Sequence, residues 1–339
     1  LITVTEIAAK ARVHTATASR ALNGKGDVAP ATRARILKIA SDMGYHPEKL
    51  CRIGGLRDST VGIALHPLNN PTATGQFYYA VLDAIQEELA GYGSDMVVLD
   101  VKSDESIEGI VRRCNDGVMR GVIVVGWVAD PVLERLALER IPMVVVNHSV
   151  PNSKIDFVTI DNINGARKSV HHLIGLGHRR IAFVTGGFEG STSLADRLAG
   201  YRLALMENGM GPDSEIVLKV PTLEMRHGQT AARQVLECPQ RPTAIVVAAD
   251  QIAIGMMGVL SRSGIRIPED LSVIGFDDIE WAAYSDPPLT TVRCDRKKIA
   301  ELTAHRLLSR LNSERAISAW CVVDTELVIR DSTAPCPNG

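Results

Sequence analysis

The sequence predicts an α/β protein with a small helical head of helix-turn-helix plan, a short linker and a large doubly wound body. Three observations predict it. The first sixty residues hold ten Lys and Arg against five Asp and Glu, so they carry +5 on a chain of net charge −2 and leave −7 for the rest. After Ser59 the pattern changes from short helical stretches to apolar strands alternating with amphipathic helices. The length of 339 residues also exceeds one hydrophobic core, which stops growing near ~250–300 residues. A basic front on an acidic body suggests a polyanion-binding head, although solvated helix faces alone give the same balance.

The head reads in order from its caps. "TVTE" fits a capping box, with a Thr side chain on the N3 amide and Glu6 reaching back. Ile7, Ala8 and Ala11 form a short apolar stripe, and the helix is expected to stop near Arg12. Val13 packs in the turn, and His14 stands at the next N-cap. Thr15 to Leu22 form the second helix, with Ala18, Ala21 and Leu22 facing inward. The third helix opens on Pro30 at N1, repeats Ile36, Ile39, Ala40 and Met43 at helical spacing, and ends at Gly44. Two short helices joined by a tight turn and braced by a third make the helix-turn-helix plan, whose second helix enters the major groove of DNA. Small residues on "HTATASRALNG" let the backbone approach the duplex, its hydroxyls reach phosphates, and Arg20 can fork onto a guanine. Spacing alone also admits a three-helix module with no role on DNA.

In the body, "TVGIALH", "DMVVLD", "GVIVVGW", "PMVVVNH", "FVTID", "RIAFVTG", "AIVVAAD" and "LSVIGFDD" read as strands. Stretches such as "FYYAVLDAIQEELAGYG" and "ARKSVHHLIGLG" read as helices between them. This alternation implies parallel sheets covered on both faces, as one large sheet or two smaller ones. No run of about 18 apolar residues suggests a membrane span. The N-terminus lacks the charged and apolar regions of a signal peptide, and the cysteines at 51, 114, 238, 294, 321 and 336 show no metal spacing. Reduced thiols and a cytoplasmic location are the expectation. HExxH, GxSxG and P-loop patterns are missing, and the histidines of "HHLIGLGH" read as a helix and its C-terminal turn. Neither an enzyme nor a cofactor is therefore expected.

"TVTEIAAKARVHTATASRALN" resembles the head of the lactose/galactose repressor (LacI/GalR) family, T-x-x-D-V-A-x-x-A-G-V-S-x-x-T-V-S-R-x-L-N. Thr3, Ala8, Ala11, Val13, Thr17, Ser19, Arg20, Leu22 and Asn23 match. Arg12 replaces the turn glycine and His14 the capping serine. "TRARILKIASDMGYHP" is similar to the family's third helix and its Gly-Tyr-x-Pro exit. Along the body, "IDNINGA", "HHLIGLGHRRIAFVTG", "DRLAGY", "ADQIAIG" and "IPEDLSVIGFDDIEWAAYSDPPLTTV" follow in the family's order.

The resemblance implies a head over 1–46, a hinge over 47–60, and a periplasmic-binding-protein-like body over 61–339. Subdomain 1 would take about 61–160 and 291–320, and subdomain 2 about 161–290 and 321–331. It implies a homodimeric repressor of transcription on double-stranded operator DNA, with no membrane partner, controlled by a sugar-like small effector between the subdomains. A solute-binding protein without a transcriptional role shares the body. The C-terminus has no apolar heptads to suggest a tetramer-forming coiled coil.

On DNA, Thr15, Ala16 and Arg20 are the candidates for reading bases, and Thr17, Ser19, Asn23, Thr32 and Tyr45 for backbone contacts. In the family the hinge forms a short helix whose leucine wedges into the minor groove. That position falls here on Gly54 beside Gly55, so a weakened hinge helix with Ile53 or Leu56 as substitute wedge is expected. In the body, ligands of doubly wound sheets sit beyond the carboxyl ends of strands, which here carry Asn147, Asp161 and Asp277. Arg197 matches the family's cleft arginine, and Phe77 and Tyr78 its aromatic pair. Leu223 stands where many relatives have an aromatic, and Cys294 where the lactose repressor has an amide. The alternative for Arg197 and Asp277 is that they pair across the cleft and hold it shut.

Overall fold

The computed structural model describes residues 4–22, 28–42, 56, 59–65, 75–101, 104–150, 153–186, 190–312 and 317–337. The chain divides into two compact units, Leu1–Asp58 with Tyr92–Ser94, and Ser59–Gly91 with Asp95–Gly339. The division falls inside the expected linker.

In the head, α1 (Val4–Lys10), α2 (Thr15–Leu22) and α3 (Pro30–Asp42) enclose a small core of Ile7, Ala11, Ala21, Ile36 and Ala40. Val13, Val28 and Ile39 pack against it. The turn after α1 closes with Val13 N–H donating to the Ala8 carbonyl at 3.0 Å, and it places Arg12 at a left-handed φ of 50°. This is the position at which the family pattern has glycine, for which that conformation is free; a side chain there costs about 1–3 kcal/mol. The His14 carbonyl accepts from Thr17 and Ala18 at 2.8 and 3.1 Å, which opens α2 where its cap was expected. Pro30 opens α3. Thr3, Met43 and Gly44, expected at the cap, the inner face and the end of these helices, lie outside the described residues.

The body contains two six-stranded sheets among the described residues. Its strands are β1 (Ser59–Leu65), β2 (Ser94–Asp100), β3 (Gly121–Val125), β4 (Met143–Val146), β5 (Asp156–Ile160), β6 (Ile181–Gly186), β7 (Ile216–Val220), β8 (Ala244–Val247), β9 (Ser272–Asp277), β10 (Thr290–Cys294), β11 (Trp320–Val323) and β12 (Thr325–Val328). The sheet of subdomain 1 runs β11-β5-β4-β3-β1-β2 and that of subdomain 2 runs β12-β10-β9-β8-β6-β7. Neighbours such as β1 and β3 pair in parallel, while β12 lies antiparallel to β10. β3, β4, β5, β6, β8 and β9 are buried along their whole length, as expected of strands covered on both faces.

Nine helices described in the body cover these sheets: α4 (Gln76–Gly91), α5 (Asp104–Asn115), α6 (Asp130–Leu138), α7 (Asn162–Gly175), α8 (Thr192–Glu207), α9 (Gly228–Glu237), α10 (Asp250–Arg262), α11 (Glu280–Tyr284) and α12 (Arg296–Asn312). Each subdomain has its own core, one around Val124, Leu133, Val145 and Phe157, the other around Phe183, Tyr201, Val246 and Ile274. α7 and α8 approach so closely at Gly200 that an added Cβ would meet the Ile163 carbonyl oxygen at 2.1 Å.

The chain crosses between subdomains after β5, after β10 and between β11 and β12. The second and third crossings correct the expected boundaries at 291 and 321. β10 belongs wholly to subdomain 2, so the crossing waits for Cys294, and β11 belongs to subdomain 1 through Val323. A paired strand cannot change sheets midway without breaking its ladder, so crossings fall at strand ends.

Candidate functional site

Two surfaces hold the candidate residues. On the head, α2 exposes Thr15 and Arg20 and half-buries Thr17, while Ala18 and Ala21 are buried inward. Thr32 is half-buried in the first turn of α3. The side chains of Ala16 and Ser19, and the whole of Asn23, Tyr45, Ile53 and Gly54, lie outside the described residues. Leu56 is fully buried, so as a minor-groove wedge it would first have to leave its packing.

In the body, the carboxyl ends of both sheets meet at a cleft. Its subdomain 2 wall is built around Arg197 of α8, which is 3% exposed. Its Nε donates to Asn162 Oδ1 at 2.8 Å, one Nη to the Ala248 carbonyl, and the other to Asp277 Oδ1 at 3.2 Å. The guanidinium lies 3.6 Å from the centre of the Phe276 ring, a cation–π contact. Each of its three nitrogens thus has a protein partner. Asp277 ends β9 at a left-handed φ of 114°. Burial pushes its carboxyl up to about 6 against the opposing pull of Arg197 and Arg296.

This geometry overturns the reading in which Arg197 and Asp277 latch the cleft. α8 and β9 both belong to subdomain 2, so the pair lies within one wall. Asp250, behind it, is fully buried and accepts from Thr291 Oγ1 at 2.6 Å and from Ile279 N–H at 3.0 Å. Burial raises its carboxyl well above the usual range, and the nearby Asp277 charge adds to that. Gly275 makes room for it, since a Cβ there would lie 2.0 Å from Asp250 Oδ1. The loop that follows is clamped by Arg293 and Arg330 on the Asp278 carboxylate, at 2.7 and 2.6 Å, and by Arg296 on the backbone carbonyls of Asp277 and Asp278.

The subdomain 1 wall is less self-contained. Asn147 follows β4 at a left-handed φ of 57° and donates from Nδ2 to the Tyr78 hydroxyl at 3.1 Å, while its Oδ1 is buried with no hydrogen-bond partner. Burial also raises the Tyr78 hydroxyl above its ordinary pKa. Phe77 and Tyr78 meet edge to face at 5.3 Å, and Phe77 is buried at 6% exposure. Neighbouring residues on a helix point about 100° apart. Tyr78 is the one that reaches the strand ends, while Phe77 packs among the buried residues of α4.

Asp161 caps α7, accepting from Asn164 N–H at 3.1 Å and Asn164 Nδ2 at 2.7 Å. Leu223 packs on the subdomain 2 core, with Cδ2 3.0 Å from where a Cβ on Gly186 would lie. Cys294 is buried, and burial first, then the Asp277 charge, pushes its thiol pKa far up. Asn162, Phe276 and Asp250 were not among the candidates, nor were Trp127, His148 and Thr192. All but Phe276, which lies inside β9, stand within two residues of a strand's end or open the next helix, so the strand-end rule applied to every strand nominates them.

Two family models match the chain: the one described as bacterial regulatory proteins of the lacI family over residues 3–48, and the periplasmic binding protein-like domain over residues 170–333. The HTH-type transcriptional repressor CytR of Escherichia coli (strain K12) is 31% identical, covering 99% of this chain and 97% of its own length. The chain belongs to the lacI family of bacterial regulatory proteins. The HTH-type transcriptional regulator CelR of Thermobifida fusca is 30% identical over 97% of this chain and 98% of its own. Among solved structures, a complex of the transcriptional regulator CelR with cellobiose superposes with a TM-score of 0.74, at 29% identity over 98% of this chain and 100% of that one. The lac repressor dimer bound to operator and the anti-inducer ONPF superposes with a TM-score of 0.71, at 26% identity over 98% and 99%. A lacI head joined to this body sets aside the solute-binding reading. Among the described residues, no helix is long and apolar enough to cross a membrane.

Proposed function

We propose that this lacI-family regulator is a cytoplasmic homodimeric repressor, not an enzyme, whose head reads a pseudo-palindromic operator and whose cleft binds a sugar or sugar derivative. The observation that carries the reading is one chain holding both a lacI head over residues 3–48 and a body with a partly unsatisfied cleft. The domain limits in this reading are 1–46 for the head, 47–58 for the linker, two residues shorter than the expected 47–60 because β1 opens at Ser59, and 59–339 for the body. In this reading Thr15, Ala16 and Arg20 face bases, while Thr17, Ser19, Asn23, Thr32 and Tyr45 hold the backbone. Tyr78, Asn147, Arg197 and Asp277 line the effector site, with Leu223 on its flank. Trp281 and Tyr284, 48% and 80% exposed on α11, leave apolar surface for a second copy to cover.

Arg197 acts on the effector through what it organises. Its contacts hold Asp277 and Asn162 in place, and the carboxylate of Asp277 accepts from ligand hydroxyls. An effector that favours one spacing of the subdomains shifts the two heads relative to the half-sites, and only its differential affinity for the two states changes DNA binding.

Selection from a random duplex library tests the reading directly. A palindromic site is expected, with affinity falling steeply with salt as phosphate contacts release counterions. Arg20→Ala should cost about 1–3 kcal/mol and relax one base position. Failure to enrich any palindrome would overturn the repressor reading. For the effector, a thermal-shift screen of sugars should find a ligand that at ~100 times its Kd adds ~2.7 kcal/mol. A hit whose shift survives both Asp277→Asn and Asn147→Ala would place the site elsewhere.

A further inference from the structure

Among the described residues of the head, Arg12 alone has a left-handed φ, at 50°. The turn fixes it from both sides. Arg12 N–H donates to the Ala9 carbonyl at 3.2 Å and Val13 N–H to the Ala8 carbonyl at 3.0 Å. These are the paired bonds of a Schellman motif, which puts the residue after the helix in this conformation. Ala11, before it, is buried, and Val13, after it, packs on the core of the head, so the backbone is held in place. Glycine adopts this conformation freely, whereas an arginine is held in it against steric strain. Nothing inside the head offsets that strain. Arg12 is exposed, and no hydrogen bond or ion pair holds its guanidinium among the described residues.

Charge and place both point to what the side chain meets. Between Glu6 and Asp27 the chain carries Lys10, Arg12, Arg20 and Lys25 and no carboxylate, so this stretch attracts a polyanion and gives Arg12 no nearby acid to pair with. Arg12 is also the turn residue between α1 and α2. In helix-turn-helix docking the first helix crosses the sugar-phosphate backbone and the second enters the major groove by its N-terminal residues. The turn that joins them stands at the edge of the groove, which is lined by phosphates. Thr15, three residues on, is exposed at the start of α2. A guanidinium is a planar fork that gives a phosphate two parallel N–H···O bonds, which neither glycine nor a point charge can do.

We propose that Arg12 clamps one operator phosphate in each half-site. The contact sets affinity and the register of α2 on the duplex and does not read bases. It rests on the operator-binding reading, with α2 in the major groove.

The test is titration of the full chain with the operator enriched from the random duplex library, over a series of salt concentrations, with Arg12→Gly and Arg12→Lys beside the parent. Arg12→Gly removes the side chain and the strain together. Operator affinity should fall about ten-fold or more, because a dimer loses two phosphate contacts. The slope of log K against log salt should flatten by ~1.8, or ~0.9 for each phosphate. The loss should be the same factor on the operator and on its single-base variants, since a phosphate carries no sequence. Arg12→Lys keeps the charge and loses the fork, so it should keep the salt slope and recover part of the affinity. Amide hydrogen exchange in α1 and α2 should be no faster in Arg12→Gly than in the parent, because glycine suits the turn. Affinity within about two-fold of the parent with the salt slope intact overturns the proposal. So does a loss confined to one base position, which would make Arg12 a base reader, or faster exchange, which would make it a structural part of the turn. If the parent enriches no operator, the operator-binding reading and this inference fall together.

Discussion

The two walls of the cleft are built on opposite terms. On subdomain 2, each nitrogen of Arg197 has a protein partner, and Asp277, Asn162 and Asp250 are bound in turn. On subdomain 1, Asn147 Oδ1 and His148 Nε2 are buried without hydrogen-bond partners. A satisfied buried network rigidifies a site, whereas an unsatisfied buried atom costs free energy until something pairs with it. The difference teaches a division of labour: subdomain 2 presents a pre-organised carboxylate, and subdomain 1 holds the groups that gain most from a ligand.

Breaking the satisfied wall should give the largest effect. Arg197→Ala leaves Asp277 buried without its ion pair and removes donors from Asn162 and Ala248. A loss of about 3–5 kcal/mol is expected in urea denaturation, since removing one partner of a buried pair leaves an uncompensated charge. A loss below about 1 kcal/mol would show that the wall is not the coupled unit described here. Gly275→Ala probes the same wall from behind. The added Cβ would meet Asp250 at 2.0 Å, and overpacking of this kind costs about 1–3 kcal/mol of stability.

The carboxylate itself should read out in pH. Burial raises the Asp277 carboxyl from its ordinary 3.8 to about 6, so its effect on stability favours the folded state below about pH 4 and is lost as pH rises through 6. Ligand binding has the opposite sign. Hydroxyls donate to the charged form, so effector affinity should weaken as pH falls from 7 to 5, by up to about ten-fold. An affinity flat over that range by calorimetry would mean that the Asp277 carboxylate is not the acceptor. The mildest change belongs to the other wall. Tyr78→Phe removes the acceptor of Asn147 Nδ2 and should move stability by about 1 kcal/mol or less while weakening effector binding. Should stability fall as far as with Arg197→Ala, the contrast between the walls would collapse.

The strands found by pattern and those missed differ in physical setting. "GVIVVGW" and "AIVVAAD" became β3 and β8, whose unbroken apolar runs follow from burial on both faces. The missed strands β7, β11 and β12 mix polar residues into half-exposed edge positions, and β10 carries an outward Arg293. That exposure blurs the apolar run on which the reading depends, and it also displaced the two later crossings. The head was legible for a local reason: Ala18, Ala21, Ile36 and Ala40 repeat at helical spacing within a few turns, and all are buried.

By itself the sequence determined the three-helix plan of the head, the eight strands with apolar runs, and the strand ends that carry Asn147 and Asp277, because apolar period, caps and strand-end position are local properties of the chain. Tertiary structure alone decided that Arg197 and Asp277 share one wall, that Asp161 is spent on a helix cap, and that His148 meets Thr192 from the other subdomain. Each of these depends on which sheet a distant segment joins and which way a side chain turns. Arg197 and Asp277 stand 80 positions apart, and the chain between them carries no local signal of either.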